Sequence, residues 1–259
     1  MTKHTFVICA YKESPYLGAC IRSLQRQTVP SRIVMVTGTP NDYLFGMAEE
    51  YGVELVINTG KTSITDDWNF GLSQVTTKYA TIAHQDDVYA ASYVERMVAA
   101  AEKKKKPVIA FSDYGELKGS VIAPISGMLK IKELMLLPMR LPRGEESRFI
   151  RRRVLSMGNP IPCPSVMYCM DRITLPLFQD HFTADEDWEA WEKLSKEKGS
   201  FVYVPKRLML HRIHEDSTTH KMFEENKRTV EDLEMFRKFW PKPVAKLINR
   251  FYSKAADYE

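Results

Sequence analysis

The chain of 259 residues is marked first by what it has little of. Its four cysteines, Cys9, Cys20, Cys163 and Cys169, form no CxxC pair, which excludes a zinc framework of ordinary spacing and a disulfide scaffold and leaves reduced, mostly buried thiols. No uncharged apolar run reaches the roughly 18 residues of a membrane span, and the opening "MTKHTFVICAYKES" lacks the apolar core of a signal peptide. A cytoplasmic protein is expected. Excess charge is also scarce: 37 Lys and Arg against 33 Asp and Glu leave +4, too little to imply nucleic acid unless it is gathered on one face. Internal repeats and low-complexity tracts are missing. So is a glycine-rich phosphate loop near the N-terminus, where "CAYKESP" stands instead.

What remains is an ordinary globular composition, 44% hydrophobic, enough for one large domain or one domain with an appendage. Short β-rich runs alternate with helix-like segments. Strands are expected at "TFVICA", "RIVMVT", "VELVIN", "YATIAH" and "VIAFSDY". Helices are expected at 14–28, with Ser14 as N-cap and Pro15 in the first turn, at "DYLFGMAEEYG" closed by Gly52, and at "TDDWNFGLSQV". Ser92 and Glu95 read as the capping box of a further helix running to the lysines at 103–106. This alternation predicts an α/β fold with a mainly parallel sheet and helices on both faces. Such sheets bind ligands beyond the C-terminal ends of their strands, and "AYKE" (10–13), "TGTPND" (37–42) and "HQDD" (84–87) stand at such ends.

The stretch 115–165 is interrupted by Pro and Gly and reads as loops and short helices. Thr183 and Glu186 read as another capping box, for a helix ended by Gly199, with strands at "FVYVP" and "RLMLHRIH" after it. Residues 217–240 read as strongly helical, and "PVAKLINRFYSKA" as a closing amphipathic piece. The expected domains are 1–216, in halves 1–114 and 115–216, and a C-terminal helical extension over 217–259.

Adjacent carboxylates at a strand end, here Asp86 and Asp87, are hard oxygen ligands suited to Mg²⁺ or Mn²⁺ beside substrate phosphates, although Asp also caps turns. A second acidic cluster, Asp185, Glu186 and Asp187, opens a predicted helix, where acids favour the dipole without any function and where a functional account needs one of them to be a general base. His211, Arg212 and His214 follow a β-rich run and offer metal or phosphate contacts. Arg151, Arg152 and Arg153, with Arg140, Arg143 and Arg148 nearby, read as a solvated face or as a contact to a polyanion or membrane surface.

Taken in order, these pieces resemble glycosyltransferase family 2, the inverting nucleotide-sugar transferases of GT-A fold. The resemblance is carried over about residues 5–217 by "FVICAYKESPYLGACIRSLQRQT", "NTGKTSITDDWNFGL", "IAHQDDVY", "NPIPCPSVMY", "DEDWEAWEKL" and "YVPKRLMLHRIHEDS". It implies that Ala10, Tyr11 and Glu13 line the nucleoside pocket, that Asp42 lies near the base, and that Asp67 and Asn69 lie beside the nucleotide. It implies further that Asp86 and Asp87 face ribose, diphosphate and a divalent metal, with Asp87 the preferred direct ligand. Asp187 is then the base for the acceptor hydroxyl, with Glu186 as fallback, and His214, with Arg212, completes the metal or diphosphate site. The sequence departs from the family at His84, where the family has Asp, and at "TGTPND", where it has an acidic turn. The implied partners are a nucleotide-diphosphate sugar and a saccharide or lipid-linked acceptor of cell-surface polysaccharide or glycolipid synthesis, with no nucleic acid. The arginine-rich middle and the amphipathic tail suggest peripheral contact with the inner face of the membrane, against a tail packed on its own domain or on a second subunit. The rival readings are a nucleotidyltransferase and a catalytically silent nucleotide or polyanion binder of the same fold.

Overall fold

The computed structural model describes residues 2–214 and 227–256. In chain order the strands are β1 (His4–Cys9), β2 (Arg32–Thr37), β3 (Glu54–Ile57), β4 (Tyr79–His84), β5 (Val88–Tyr89), β6 (Pro107–Lys118), β7 (Val121–Ile122), β8 (Val166–Cys169) and β9 (Ser200–Ile213). The helices are α1 (Leu17–Gln25), α2 (Asp42–Tyr51), α3 (Ile64–Ser73), α4 (Tyr93–Glu102), α5 (Gly127–Leu136), α6 (Arg148–Leu155), α7 (Glu186–Ser195), α8 (Lys227–Arg237) and α9 (Lys242–Ala256). Residues 217–226 of the expected helix over 217–240 lie outside the described residues.

Among the described residues the strands join in one sheet of order β3-β2-β1-β4-β8-β6-β9-β5, with β7 on β6. The half from β3 to β4 is wholly parallel. Beyond it the sheet is mixed, because β8 enters antiparallel between β4 and β6, while β6 and β9 run parallel. The chain is thus α/β as expected, but its parallel character is concentrated in the first half. The antiparallel β8 turns the stretch before it, 159–165, toward the same edge at which β1 and β4 end.

Alternation of side chains along β1 and β4 builds two cores, one on each face. Phe6, Ile8 and Ala83 meet α1 and α4 through Leu17, Ile21, Val94 and Met97. Ala80 and Ile82 face Trp68 of α3, Trp188 and Trp191 of α7, and Met235 and Phe236 of α8. Each fully buried aliphatic or Phe side chain contributes about 1.5–3 kcal/mol. Ala245 of α9 joins the second core as well, so the C-terminal helices are packed against α7.

Several expected caps are realised differently. Helix α1 begins at Leu17, and the Ser14 hydroxyl instead accepts from the Tyr16 amide in the turn before it. Ser92 makes no side-chain cap: it accepts from Arg96 Nε, and Glu95 accepts from Thr28 Oγ1. Thr183 donates to Glu231 of α8, and α7 ends at Lys196, with Gly199 in the left-handed turn that leads to β9. Gly52 does close α2 at φ 61°. The arginine run is not a free cationic face. Arg151 is 1% exposed and donates to the carbonyls of Ser195, Glu197 and Gly199, which caps the end of α7. Arg152 pairs with Glu192, and Arg153 lies 4.7 Å over the Trp240 ring.

Helix α3 approaches β1 so closely that a Cβ on Gly71 would lie 2.4 Å from Val7 Cγ1. Gly71→Ala is expected to destabilise the fold by roughly 1–3 kcal/mol, because Val7 is a buried residue of a central strand. Urea denaturation of the two proteins measures it, and an unchanged midpoint would refute the close packing.

Candidate active site

The turn after β4 is drawn inward by Asp87, whose side chain is wholly buried. Its Oδ1 accepts from the Arg212 amide at 3.0 Å and from His211 Nδ1 at 3.1 Å. Those bonds tie the β4 turn to the end of β9, two elements more than a hundred residues apart in sequence. Arg212 reinforces the link: Nε donates to the Asp86 carbonyl at 2.8 Å and Nη1 to the Gly119 carbonyl, and its guanidinium lies 4.4 Å over the Tyr16 ring. Asp86 Oδ2 is 2.9 Å from His214 Nε2, and the His214 ring packs on Tyr16.

His84, the residue that departs from the family pattern, belongs to this cluster. Its Nδ1 is 4.0 Å from Asp87 Oδ2, and its ring stacks on Trp68 at 5.5 Å. One ligand atom each from His84, Asp86 and Asp87 lie within 4.8 Å of one another. Asp87 Oδ2 and His84 Nε2 are both shielded and have no hydrogen-bond partner among the described residues. Buried polar atoms are nearly always satisfied, so this pair fits a cation-binding cluster. Burial works against the charge on Asp86, but His84, the His214 hydrogen bond and His211 outweigh it and hold the carboxyl below its ordinary value of 3.8. Burial likewise opposes charge on His211, and Asp87 beside it pushes the pKa up.

The turns after β1, β2 and β3 gather at the same edge. Ala10 is buried and its amide donates to the Val36 carbonyl. Tyr11 is exposed, and its amide and carbonyl both pair with the Gln85 side chain, which joins the β1 and β4 turns. Lys12 adopts φ 53° and donates its amide to Thr39. Glu13 and Asp42 are exposed, Asp42 in the first turn of α2. Asp67 accepts from Asn58 Nδ2 at 2.8 Å, and burial raises its pKa against that bond and one from the Gly38 amide. The Asn69 amide is taken up in holding the 177–178 backbone: Oδ1 accepts from both amides and Nδ2 donates to the Phe178 carbonyl.

The second acidic cluster opens α7. Asp187 Oδ1 accepts from Asn159 Nδ2 at 2.9 Å and Oδ2 from the Cys163 amide at 3.2 Å. Residues 159–165 are held in turn by Trp191 Nε1 on the Ile161 carbonyl and by the Tyr89 hydroxyl on the Pro164 carbonyl. Tyr89 follows the Asp86–Asp87 turn directly, so this one segment spans from the Asp187 carboxylate to the metal-type cluster. Burial raises the Asp187 pKa, opposed by the Trp188 amide and Asn159. Glu186 is 6% exposed, and burial pushes its pKa up to about 8. Asp185 is raised strongly by burial and by the neighbouring Asp232 of α8, which is itself raised by burial to about 6 and hydrogen-bonds to Asp185. Glu231 accepts from the Thr183 and Ala184 amides. Arg228 of the same helix acts electrostatically on Asp185, Asp187 and Asp232. Helix α8 therefore supplies three residues to this cluster, and no motif in the sequence announces them.

An α/β sheet with a carboxylate–histidine cluster at its strand ends and an acidic helix start facing the same edge is the arrangement that the resemblance to glycosyltransferases of GT-A fold implies. Residues 5–168 match the Glycosyl transferase family 2 profile, more than half of the chain, and the protein belongs to that family. A curated relative, an uncharacterized glycosyltransferase of Haemophilus influenzae, is 20% identical over 234 residues, covering 88% of this chain and 70% of its own. Among solved structures, S. aureus TarS 1-349 in complex with UDP-GlcNAc matches at a TM-score of 0.64 and 13% identity, over 96% of this chain and 70% of that one. The mannosyltransferase PcManGT from Pyrobaculum calidifontis, in complex with GDP-Man and Mn²⁺, matches at 0.61 and 12% identity, over 97% of this chain and 69% of that one. The fold is therefore shared with both. Among the described residues no helix is long and apolar enough to cross a membrane.

The Glu186 carboxyl keeps its proton in the fold up to about pH 8, whereas its ordinary value is 4.5. Between those values the folded state binds the extra proton, so stability falls as pH rises through the window. Glu186→Gln removes the ionising group and is expected to raise the melting temperature at pH 9 relative to the parent, with little difference at pH 4. An equal shift at both values would contradict the raised pKa.

Proposed function

We propose that the protein is an inverting glycosyltransferase that moves a sugar from a nucleotide-diphosphate donor to an acceptor hydroxyl. The observation that carries the reading is the pair of acidic clusters joined by residues 159–165, each held in a different state by its surroundings. Glu186 is protonated at neutral pH by burial, which leaves Asp187, oriented by Asn159 and the Cys163 amide, as the carboxylate able to accept a proton. Asp187 takes the proton of the acceptor hydroxyl as its oxygen bonds to the anomeric carbon. The bond from that carbon to the diphosphate breaks on the opposite face, and its electron pair leaves with the diphosphate.

Asp87, Asp86 and His84 are the residues that would hold a divalent ion, and His214 orients Asp86. A nitrogen donor beside two carboxylates favours a first-row ion such as Mn²⁺ over Mg²⁺. When bound, such an ion supplies positive charge that offsets the charge developing on the diphosphate. Ala10, Tyr11, Glu13, Asp42 and Asp67 are assigned to the nucleoside side, after the end of β1, in the first turn of α2 and on α3. Arg212 acts there by fixing the Asp86 backbone, and Asn69 by anchoring the 177–178 turn. The acceptor is a saccharide or lipid-linked saccharide of cell-surface polymer or glycolipid assembly.

Thermal-shift titration with UDP, GDP, dTDP and CDP, each with and without Mn²⁺, tests the donor side. One diphosphate should stabilise the protein, more with Mn²⁺, and Asp87→Asn should lose the metal-dependent part. Asp187→Asn should lower transfer by roughly 10²–10⁴-fold while leaving the nucleotide shift intact. Absence of any nucleotide shift would overturn the donor assignment, and full activity in Asp187→Asn would overturn the base.

A further inference from the structure

We propose that the outward face of α5 and the helical turn after it docks the protein on an anionic membrane surface, with the cavity behind that face receiving a lipid phosphate. Helix α5 is apolar on two sides. Its inward side carries Leu129 and Leu136, both buried, and Lys132, whose Nζ donates to the Tyr114 hydroxyl at 2.9 Å. Its outward side carries Ile131 and Leu134, exposed at 50% and 64%, and the turn after it carries Leu137 and then Leu141, exposed at 45% and 57%. Ile131 and Leu134 are three residues apart on one side of α5, and Leu137 and Leu141 stand at the start and just past the end of the tighter turn that follows it. A helix normally presents polar residues to water, and an apolar patch there marks a contact surface.

Charge identifies what the surface meets. A cavity of about 410 Å³ opens between Leu134 and Leu137 of this segment and the irregular part of β9, lined by Lys130, Arg140, Lys206 and Arg207 against Asp113 and Glu133. Asp113 is engaged by the Tyr203 hydroxyl at 2.7 Å, and Glu133 by Arg207. Lys130 and Lys206 are exposed and enter no ion pair among the described residues, and Arg140, also exposed, acts on Asp113 electrostatically, so the cavity presents cations directly beside aliphatic side chains. Aliphatic residues flanked by Lys and Arg make up interfacial segments on anionic bilayers, where the apolar face enters the headgroup region and the cations meet phosphates. A protein interface core would be poor in Lys and rich in aromatics, and this patch has no aromatic residue. The face is also close to the catalytic edge: Lys132 acts electrostatically on His211, and the Gly119 turn that precedes α5 accepts from Arg212. Docking there would hold the cleft near acceptors embedded in the same membrane.

Docking requires neither nucleotide nor metal, so its test is independent of the donor chemistry. The full chain is floated with vesicles of phosphatidylglycerol and phosphatidylcholine and with vesicles of phosphatidylcholine alone. Binding is expected only to the anionic vesicles, to weaken with salt, and to drop at least about ten-fold in L134E/L137E. R140E/K206E, which alters exposed charges alone, should lose binding to a similar extent and serves if the first variant melts early. L247E/F251E, on the exposed stripe of α9, should bind as the parent does. The proposal is overturned if the parent ignores anionic vesicles, or if both α5-side variants bind normally. It is overturned equally if the loss appears only in L247E/F251E, or if the parent is a dimer that L134E/L137E converts to monomer.

Discussion

Burying a carboxylate is among the costliest things a fold can do, and this one does it at Asp87. The effective penalty for taking such a group out of water is several kcal/mol, and it is met here by the Arg212 amide and His211. Both donors come from the end of β9, so the turn after β4 depends on that strand for its hydrogen bonds. The mixed second half of the sheet exists to deliver that end: β8 enters antiparallel, β6 continues past it to Lys118, and β9 runs alongside β6 with an irregularity near Ser112. Arg212 then fastens the Asp86 carbonyl, the Gly119 turn and the Tyr16 ring to one point. One Asp87 oxygen stays unpaired within the protein, on the side where His84 and Asp86 converge.

The two acidic clusters contain similar groups in opposite electrostatic settings. Around Asp86 the neighbours are histidines, and they keep the carboxyl ionised despite burial. Around Asp187 the neighbours are mainly other acids, Glu186, Asp185 and Asp232, and burial with mutual repulsion raises their pKa values against the opposing charge of Arg228 of α8. A site with several buried acids cannot ionise them all. The proton held by Glu186 and the one shared between Asp185 and Asp232 lower the local negative charge. Asp187 is the member of the group whose two oxygens both accept from donors positioned by other elements, Asn159 and the Cys163 amide.

The parallel half of the fold was legible in the sequence because its signals are local: apolar runs of strand length, a glycine at φ 61° closing α2, and polar turns at strand ends. The caps were less legible, since a Ser or Thr three residues before a Glu describes a pattern and not a partner. Thr183 has a Glu three residues on, yet its hydroxyl goes to Glu231 of α8. The arginines at 151–153 looked like a solvated run for the same reason. Only the packing of α6 on α7 reveals that Arg151 is a buried cap for carbonyls more than forty residues away. His84 stood out as a departure from the family pattern. Its position at the head of "HQDD", with a side chain that is itself a ligand type, was the available signal that the cluster keeps three donors.

The contribution of α8 had no local signal at all, and it changes how the C-terminal helices relate to the catalytic edge. Their sequence reads as an amphipathic appendage, and the apolar half of that reading is accounted for by Met235, Phe236 and Ala245, which pack with Trp188. The polar half is used as well. Glu231 accepts from the Thr183 and Ala184 amides, the two residues that lead into the helix start, and Asp232 hydrogen-bonds to Asp185. The residues that bound the start of α7 are thus fixed by side chains from outside the region matched to the family, which ends at residue 168. A helix N-terminus held from behind by another helix cannot shift without moving Asp187. The placement of Asp187, the proposed base, therefore depends on a part of the chain outside the region matched to the family.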